Sequence, residues 1–237
     1  MEYIFGYGSL INTFSRLRSL PASQSIAPVA VLHGFVRRWG FRCSRREFTA
    51  LSVEKGSKKD WINGVLVAVN DWKNLDDREK NYARYRVDPQ YLTSDIPDGS
   101  TVWVYAIPNK FETDHSTCKR GVNQYNSHYP SMNCPIPQSY LDCVMAGCIA
   151  ISTQFAADFI KSTIGWPNRT RDKSWVNDRN SCRTHRKYVC LASVGEVECV
   201  NVYSKIDLLL SEIVPLELNE RVFAKCVRSC SSQCLLI

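Results

Sequence analysis

The chain has 237 residues, 44% of them hydrophobic, and a formal net charge of +7. Its most apolar runs, 28–35 and 62–69, are about eight residues long, against the roughly 20 that cross a bilayer, which argues against a transmembrane helix. The basic residues are scattered rather than gathered into a stripe, so we expect no nucleic-acid binding. The amino terminus has no basic region followed by an apolar run of the kind that directs secretion. These features predict a soluble, cytoplasmic protein.

The length is enough for one sizeable core. We therefore expect one domain over residues 1–215 and a flexible, basic, cysteine-rich tail over 216–237. The predicted strands, in chain order, are 2–6, 28–41, 47–53, 62–70, 85–88 and 101–107. Helices are predicted at 10–20, closed by Pro21, and in a short segment that follows Asp71 as its N-cap.

The second half of the chain is less regular. Residues 109–137 are polar and rich in turn formers, which predicts a long irregular segment. Residues 140–160 have helical spacing and predict two helices that break near Gly147. A last short helix is expected at 206–213, and no internal repeat is visible.

The eleven cysteines do not suggest a disulfide framework, because the chain is long and the number is odd. Two groups of potential zinc ligands occur, but neither has the spacing of a recognised finger, and ordinary loop residues explain them equally well. They are His115, Cys118, His128 and Cys134, and the pair Cys182 and His185. We therefore predict no metal site.

Two glycines surround a tyrosine between the first strand and the first helix, in Gly6-Tyr7-Gly8-Ser9-Leu10. A loop of this kind exposes backbone amides at the positive end of a helix dipole and can cradle an anion or oxyanion. Its spacing matches neither the dinucleotide fingerprint nor the phosphate loop with its lysine. A tight turn that glycine permits explains the same residues, so this motif alone leaves both interpretations open.

An acidic segment follows in the helix after Asp71. Asp76 and Glu79 lie three residues apart on one helix face, while Leu75 is expected to pack inward. One of the two acids is then placed to be drawn inside the protein. A solvated helix in which Arg78 pairs with its own neighbours explains the pattern as well, and an isolated run of charges favours it.

Together and in this order, the Tyr7–Leu10 loop, the Leu75-Asp-x-x-Glu79 segment and the Arg84-Tyr-Arg-Val87 run resemble the gamma-glutamylcyclotransferase-like family, within the AIG-like and ChaC-like superfamily. The resemblance covers most of residues 3–213. Further similar segments are Gly34-Phe-Val-Arg-Arg-Trp, Phe48-Thr-Ala-Leu, Asn63-Gly-Val-Leu, Gln138-Ser-Tyr-Leu-Asp and Gly147. Thr163-Ile-Gly-Trp and Trp175-Val-Asn-Asp-Arg resemble a subgroup with an extended carboxyl half.

The resemblance implies an α+β fold, with a small bent mixed β-barrel flanked by helices. It also implies release of 5-oxoproline from a small gamma-glutamyl amine or peptide, without a metal or redox cofactor. Glu79 would be the general base and acid, Tyr140 a pocket hydroxyl, and Tyr7, Gly8, Ser9 and Leu10 the loop that binds the gamma-glutamyl portion. The residue after Glu79 is Lys80, where the family often has glycine. The alternative is a non-catalytic member that binds a ligand or a protein at a membrane.

The last four residues, Cys234-Leu-Leu-Ile, fit a prenylation box. Cys226 and Cys230 are candidate palmitoylation sites, and Arg221, Lys225 and Arg228 add the positive charge that stable anchoring uses as a second signal. We expect a prenyltransferase to modify Cys234, with geranylgeranyl favoured by the terminal isoleucine. The protein would then sit on the cytosolic face of a membrane in a eukaryotic cell, its own or a host's. An unmodified cysteine-rich tail also explains these residues.

Overall fold

The computed structural model describes residues 1–20, 27–43, 48–107, 129–167, 174–179, 196–219 and 221–223. Three of the sequence predictions concern residues outside these ranges. They are the lipidation sites Cys226, Cys230 and Cys234, the His/Cys groups apart from Cys134, and most of the irregular segment 109–137. Cys134, Cys143 and Cys148 are buried and form no disulfide.

The structure combines twelve strands and six helices in the described residues. The strands are β1 (Glu2–Gly6), β2 (Val29–His33), β3 (Phe35–Cys43), β4 (Phe48–Lys55), β5 (Trp61–Ala68), β6 (Ala83–Val87), β7 (Leu92–Ser94), β8 (Thr101–Ala106), β9 (Ile136–Pro137), β10 (Thr163–Ile164), β11 (Trp175–Asn177) and β12 (Val222–Phe223). The helices are α1 (Thr13–Leu17), α2 (Lys73–Arg78), α3 (Gln138–Ile151), α4 (Thr153–Lys161), α5 (Glu196–Ile213) and α6 (Pro215–Asn219), and Pro89–Tyr91 form a 3₁₀ turn. None of the described helices is long and apolar enough to cross a bilayer.

A six-stranded mixed sheet in the order β6-β8-β1-β5-β2-β7 is the main scaffold, curled as a half-barrel. Its strand β1 pairs in parallel with β8 and antiparallel with β5. Two three-stranded sheets, β10-β3-β4 and β12-β11-β9, complete the β structure. The predicted mixed α+β class is confirmed, and β1 carries the chain through the middle of the sheet to the loop that begins at Tyr7.

Local geometry divides two of the predicted elements differently. The run 28–41 forms two strands, because Gly34 between them adopts φ 75° and exchanges backbone hydrogen bonds with Asp60 and Gly56. The predicted helix 10–20 shrinks to α1, because the Asn12 side chain caps the amide of Ser15 at 3.1 Å and starts the helix at Thr13.

The predicted helix break near Gly147 is wrong. Helix α3 runs through Gly147 and ends at Ser152, whose hydroxyl accepts from the Phe155 amide at 3.0 Å and caps α4. A Cβ at Gly147 would lie 2.6 Å from the Asn12 backbone nitrogen. Glycine is therefore present for close packing of α3 against the chain that enters α1.

The predicted last helix, 206–213, is the second half of the longer helix α5. Beyond it, β12 pairs with β11, so residues 222–223 belong to the folded body. Arg37 on β3 is fully buried. Its guanidinium donates to Asn63, to Thr163 and to the Phe159 carbonyl, which joins β3, β5 and the end of α4.

Candidate active site

The loop that follows β1 folds into a tight turn, in which the Ile11 amide donates to the Gly8 carbonyl at 2.9 Å. A Cβ at Gly8 would lie 3.2 Å from the Tyr140 hydroxyl and 3.6 Å from Leu51 Cδ1. Gly8 is thus needed for the close approach of these two side chains. Helix α1 has five residues and starts three positions after Leu10, so its dipole adds little at this loop.

Glu79 lies at the carboxyl end of α2, where its amide donates to the Leu75 carbonyl at 2.9 Å. Leu75 is completely buried and anchors this short helix to the core. The Glu79 side chain is 17% exposed. Burial raises the pKa of its carboxyl, and the neighbouring Arg78 guanidinium offsets this rise only in part.

Arg78 joins the loop to the glutamate. Its Nη2 donates to Ser9 Oγ at 2.8 Å, and its Nε lies 3.1 Å from Glu79 Oε1. The same guanidinium donates to the carbonyl and the hydroxyl of Ser15 on α1, at 2.6 and 2.9 Å. One side chain therefore holds the loop, α1 and Glu79 in a common arrangement. The sequence pattern indicated Arg78 only as a partner for its helix neighbours.

These parts meet around a cavity of about 40 Å³. The residues that line it are Phe5, Tyr7, Gly8, Ser9, Leu10, Leu51, Glu79, Tyr82, Tyr105 and Tyr140. All six residues singled out from the sequence are therefore brought together. Glu79 is the one carboxylate among the described residues that line the cavity.

Four lining residues were missed by the sequence analysis: Phe5, Leu51, Tyr82 and Tyr105. Tyr82 lies three positions after Glu79, and its amide donates to the Glu79 carbonyl at 2.8 Å, so its spacing was the available signal. Phe5, Leu51 and Tyr105 lie on three different strands. Strand β1 pairs with β8, whereas β4 belongs to another sheet, so the packing of the two sheets brings these side chains together.

The tyrosine hydroxyls are held by internal acceptors. Tyr7 donates to the Tyr105 carbonyl at 2.8 Å, and Tyr82 donates to the Leu51 carbonyl at 2.9 Å. Burial, and then the nearby Glu79 charge, raise the pKa of Tyr7 well above its usual value, so Tyr7 is a neutral donor at physiological pH. The rings therefore form fixed walls around the carboxyl group.

Asp76, the other acid of the predicted helix face, has a different role. It accepts a hydrogen bond from the Tyr105 hydroxyl at 2.5 Å, and Arg84 pairs with it at 3.2 Å. Asp76 therefore supports a wall residue and does not line the cavity. Lys80, at the position where the family often has glycine, is exposed and is likewise absent from the lining residues.

Chemically, the cavity offers one carboxyl group of raised pKa among aromatic walls. Such a group can take a proton from a nitrogen or oxygen of a small ligand and return it. Within the described ranges, no three His, Cys, Asp or Glu side chains are grouped to hold a metal ion.

No protein-family model and no curated protein matches this sequence. Solved structures do match. One is described as gamma-glutamyl cyclotransferase, with a TM-score of 0.46 and 17% identity over 67% of this chain and 85% of that one. An uncharacterized human protein gives a TM-score of 0.45 at 17% identity over 70% and 91% of the two chains. YkqA from Bacillus subtilis gives 0.43 at 18% identity over 65% and 51%.

Proposed function

We propose that the protein is a gamma-glutamyl cyclotransferase, which releases 5-oxoproline from a small gamma-glutamyl amine or peptide. The observation that carries the proposal is the position of Glu79, the one carboxylate among the described lining residues, in a cavity shared with the loop Tyr7–Leu10. A raised pKa suits this carboxyl group to both halves of a proton transfer, because it binds a proton more tightly than an exposed glutamate does.

In the first step, the Glu79 carboxylate takes a proton from the α-ammonium group of the substrate. The freed amine attacks the γ-carbonyl carbon, a new C–N bond closes a five-membered ring, and the carbonyl electron pair moves to the oxygen. We assign the stabilisation of this oxyanion to backbone amides of the loop 7–10.

In the second step, protonated Glu79 gives its proton to the departing nitrogen, and the oxyanion collapses as the old C–N bond breaks. Glu79 then takes the remaining extra proton from the ring nitrogen and loses it to water. The departing amine gains its last proton from solvent. The products are 5-oxoproline and an ammonium ion, so two protons leave the attacking nitrogen and two reach the departing one.

The test is release of 5-oxoproline from glutathione, gamma-glutamyl-alanine and gamma-glutamyl-lysine by the purified protein and by Glu79→Gln. We expect turnover of at least one substrate and a loss of roughly 10²- to 10⁴-fold in the variant, the usual contribution of a positioned acid–base group. Asp77→Asn is the matched control, because Asp77 is an exposed acid two residues away. Equal turnover by Glu79→Gln, or release from none of the substrates, would contradict the proposal.

A non-catalytic module that binds an amine-bearing ligand would use the same cavity. An exposed Glu79 or a Lys80 side chain that filled the cavity would favour that alternative. Glu79 is 17% exposed and Lys80 does not line the cavity, which supports catalysis over binding alone. Attachment to a membrane through a lipidated Cys234 stays a prediction from the sequence.

A further inference from the structure

We propose that the carboxyl half of the chain positions the Tyr140 hydroxyl in the cavity. The residues responsible, here called the C-terminal clamp, are Trp175, Asp178, Arg179 and Arg221. The proposal rests on the proposed function in one respect: if the cavity is the active site, the Tyr140 hydroxyl faces the substrate. It assigns a role to the Trp175–Arg179 segment, for which the family resemblance implied none.

The first contact of the clamp is with the amino end of α3. Pro137, at the N-cap position, makes no side-chain capping bond. Instead, Asp178 accepts from the Ser139 amide and from the Ser139 hydroxyl, both at 2.7 Å. Asp178 is buried, so it acts as a cap supplied from outside the helix. The residue just before Tyr140 is therefore fixed in place.

Gln138 and Asp142, which lie before and after Ser139 and Tyr140 in α3, are also held by the clamp. Gln138 accepts from Trp175 Nε1 and from Arg221 Nη1, both at 3.0 Å. Arg179 binds Asp142 with two parallel hydrogen bonds of 2.8 and 2.7 Å. The clamp thus grips positions 138, 139 and 142, and Tyr140 lies between them.

Asp207 on α5 pairs with both Arg179, at 2.7 Å, and Arg221, at 2.9 Å. Two arginines thus face Asp142 and Asp207. The cluster is partly buried, because Asp142 is 3% exposed but Asp207 is 34% exposed. Desolvation offsets much of the attraction between such charges. The stability of the fold alone is therefore a poor explanation for the cluster, and control of geometry is a better one.

A second route reaches the Tyr140 ring itself. The ring packs edge-on against Trp39 at 6.0 Å between centroids, Trp39 packs against Trp166 at 5.4 Å, and Trp166 against Trp175 at 5.5 Å. Trp175 therefore belongs both to this aromatic row and to the polar contacts with Gln138. The first turn of α3 and the Tyr140 ring are held by the same segment, and the hydroxyl is kept against Gly8.

A double-mutant cycle tests the proposal in the full chain. We expect Asp178→Ala and Tyr140→Phe each to lower kcat/KM roughly tenfold, and the double variant to lose little more than either single change. If Asp178 only stabilised the fold, its replacement would lower the thermal midpoint, and the losses in kcat/KM from the two single changes would multiply in the double variant. Multiplicative losses would therefore overturn the proposal. Asp178→Asn keeps an acceptor for the Ser139 amide and should recover most of the activity.

Glu54→Gln is the matched control, since it removes an ion pair between β3 and β4, in which Arg38 and Glu54 lie 2.8 Å apart. We expect it to leave kcat/KM unchanged. A second measurement needs no substrate: 3-fluorotyrosine at position 140, followed by fluorine NMR. We expect one sharp resonance in the otherwise unchanged chain and a shifted or broadened one with Asp178→Ala, or, if the alanine variant does not fold, with Arg179→Gln, which breaks the contact with Asp142.

The two measurements separate the two hypotheses. A resonance that neither Asp178→Ala nor Arg179→Gln alters would overturn the clamp, whatever the activity. A resonance that moves, in a protein that releases 5-oxoproline from none of the three substrates, would uphold the clamp and overturn the proposed function.

Discussion

Arg78 and Glu79 are adjacent in the chain and form an ion pair at 3.1 Å, although neighbours on an ideal helix point in different directions. They meet because Glu79 leaves helical geometry, at φ −93° and ψ 23°, as the C-cap of α2. The end of the helix therefore places the glutamate both beside its partner and at the cavity. The pair also sets how far burial raises the pKa of the carboxyl group.

Replacement of Arg78 by methionine should move the acid limb of the kcat/KM profile to higher pH. The Arg78 cation lowers the pKa of Glu79, so its removal lets burial raise that pKa further. We expect kcat/KM to fall roughly ten- to a hundredfold near neutral pH, since the hydrogen bond from Arg78 to Ser9 is also lost. Arg78→Lys keeps the positive charge but not the paired N–H donors of the guanidinium. This variant should also lose activity, but the acid limb of its kcat/KM profile should shift less. A limb that moves to lower pH in the methionine variant would contradict this account.

Glu79→Gln should inactivate the protein and also stabilise it at neutral pH. Burial raises the folded-state pKa of Glu79 above its unfolded value of about 4.3. The stability linked to the protonated carboxyl group is therefore fully present below that unfolded value and is lost as the pH rises through the folded-state pKa. Thermal midpoints of the two proteins should diverge in favour of glutamine as the pH rises and converge in acid. The exposed Asp77→Asn should show no such divergence, and a lower midpoint for Glu79→Gln at neutral pH would count against the burial argument.

Gly8→Ala should damage the site through a steric effect on Tyr140. The new methyl group would lie 3.2 Å from the Tyr140 hydroxyl, which is tighter than an ordinary contact. We expect roughly a tenfold loss in kcat/KM, with most of it in KM, and a lower thermal midpoint. The midpoint should recover when Tyr140→Phe removes the crowded oxygen. A midpoint that stays low in the double variant would locate the strain elsewhere.

The parts of the site that could be predicted are those with local signals. Glycines after a buried strand indicated the loop at Tyr7–Leu10, and Leu75 indicated which face of α2 turns inward. The contact between Arg78 and Ser9 could not be predicted, because it spans 69 positions and depends on how α1 and α2 approach each other. The external cap that Asp178 supplies to α3 likewise depends on tertiary packing.

Gly147→Ala separates helix propensity from packing. Alanine in the middle of a helix is usually favoured over glycine by about 0.5–1 kcal/mol. At Gly147, however, the added Cβ would lie 2.6 Å from the Asn12 backbone nitrogen and 2.7 Å from its Cα, and a backbone cannot move aside as a flexible side chain can. We therefore expect the free energy of unfolding to fall by about 1–3 kcal/mol, the usual cost of overpacking, measured from urea midpoints. The opposite substitution, Ala150→Gly, lies at an exposed position of the same helix. It measures the effect of helix propensity without the effect of packing. A Gly147→Ala variant more stable than the parent would mean that α3 and the chain at Asn12 are less closely packed than the structure indicates.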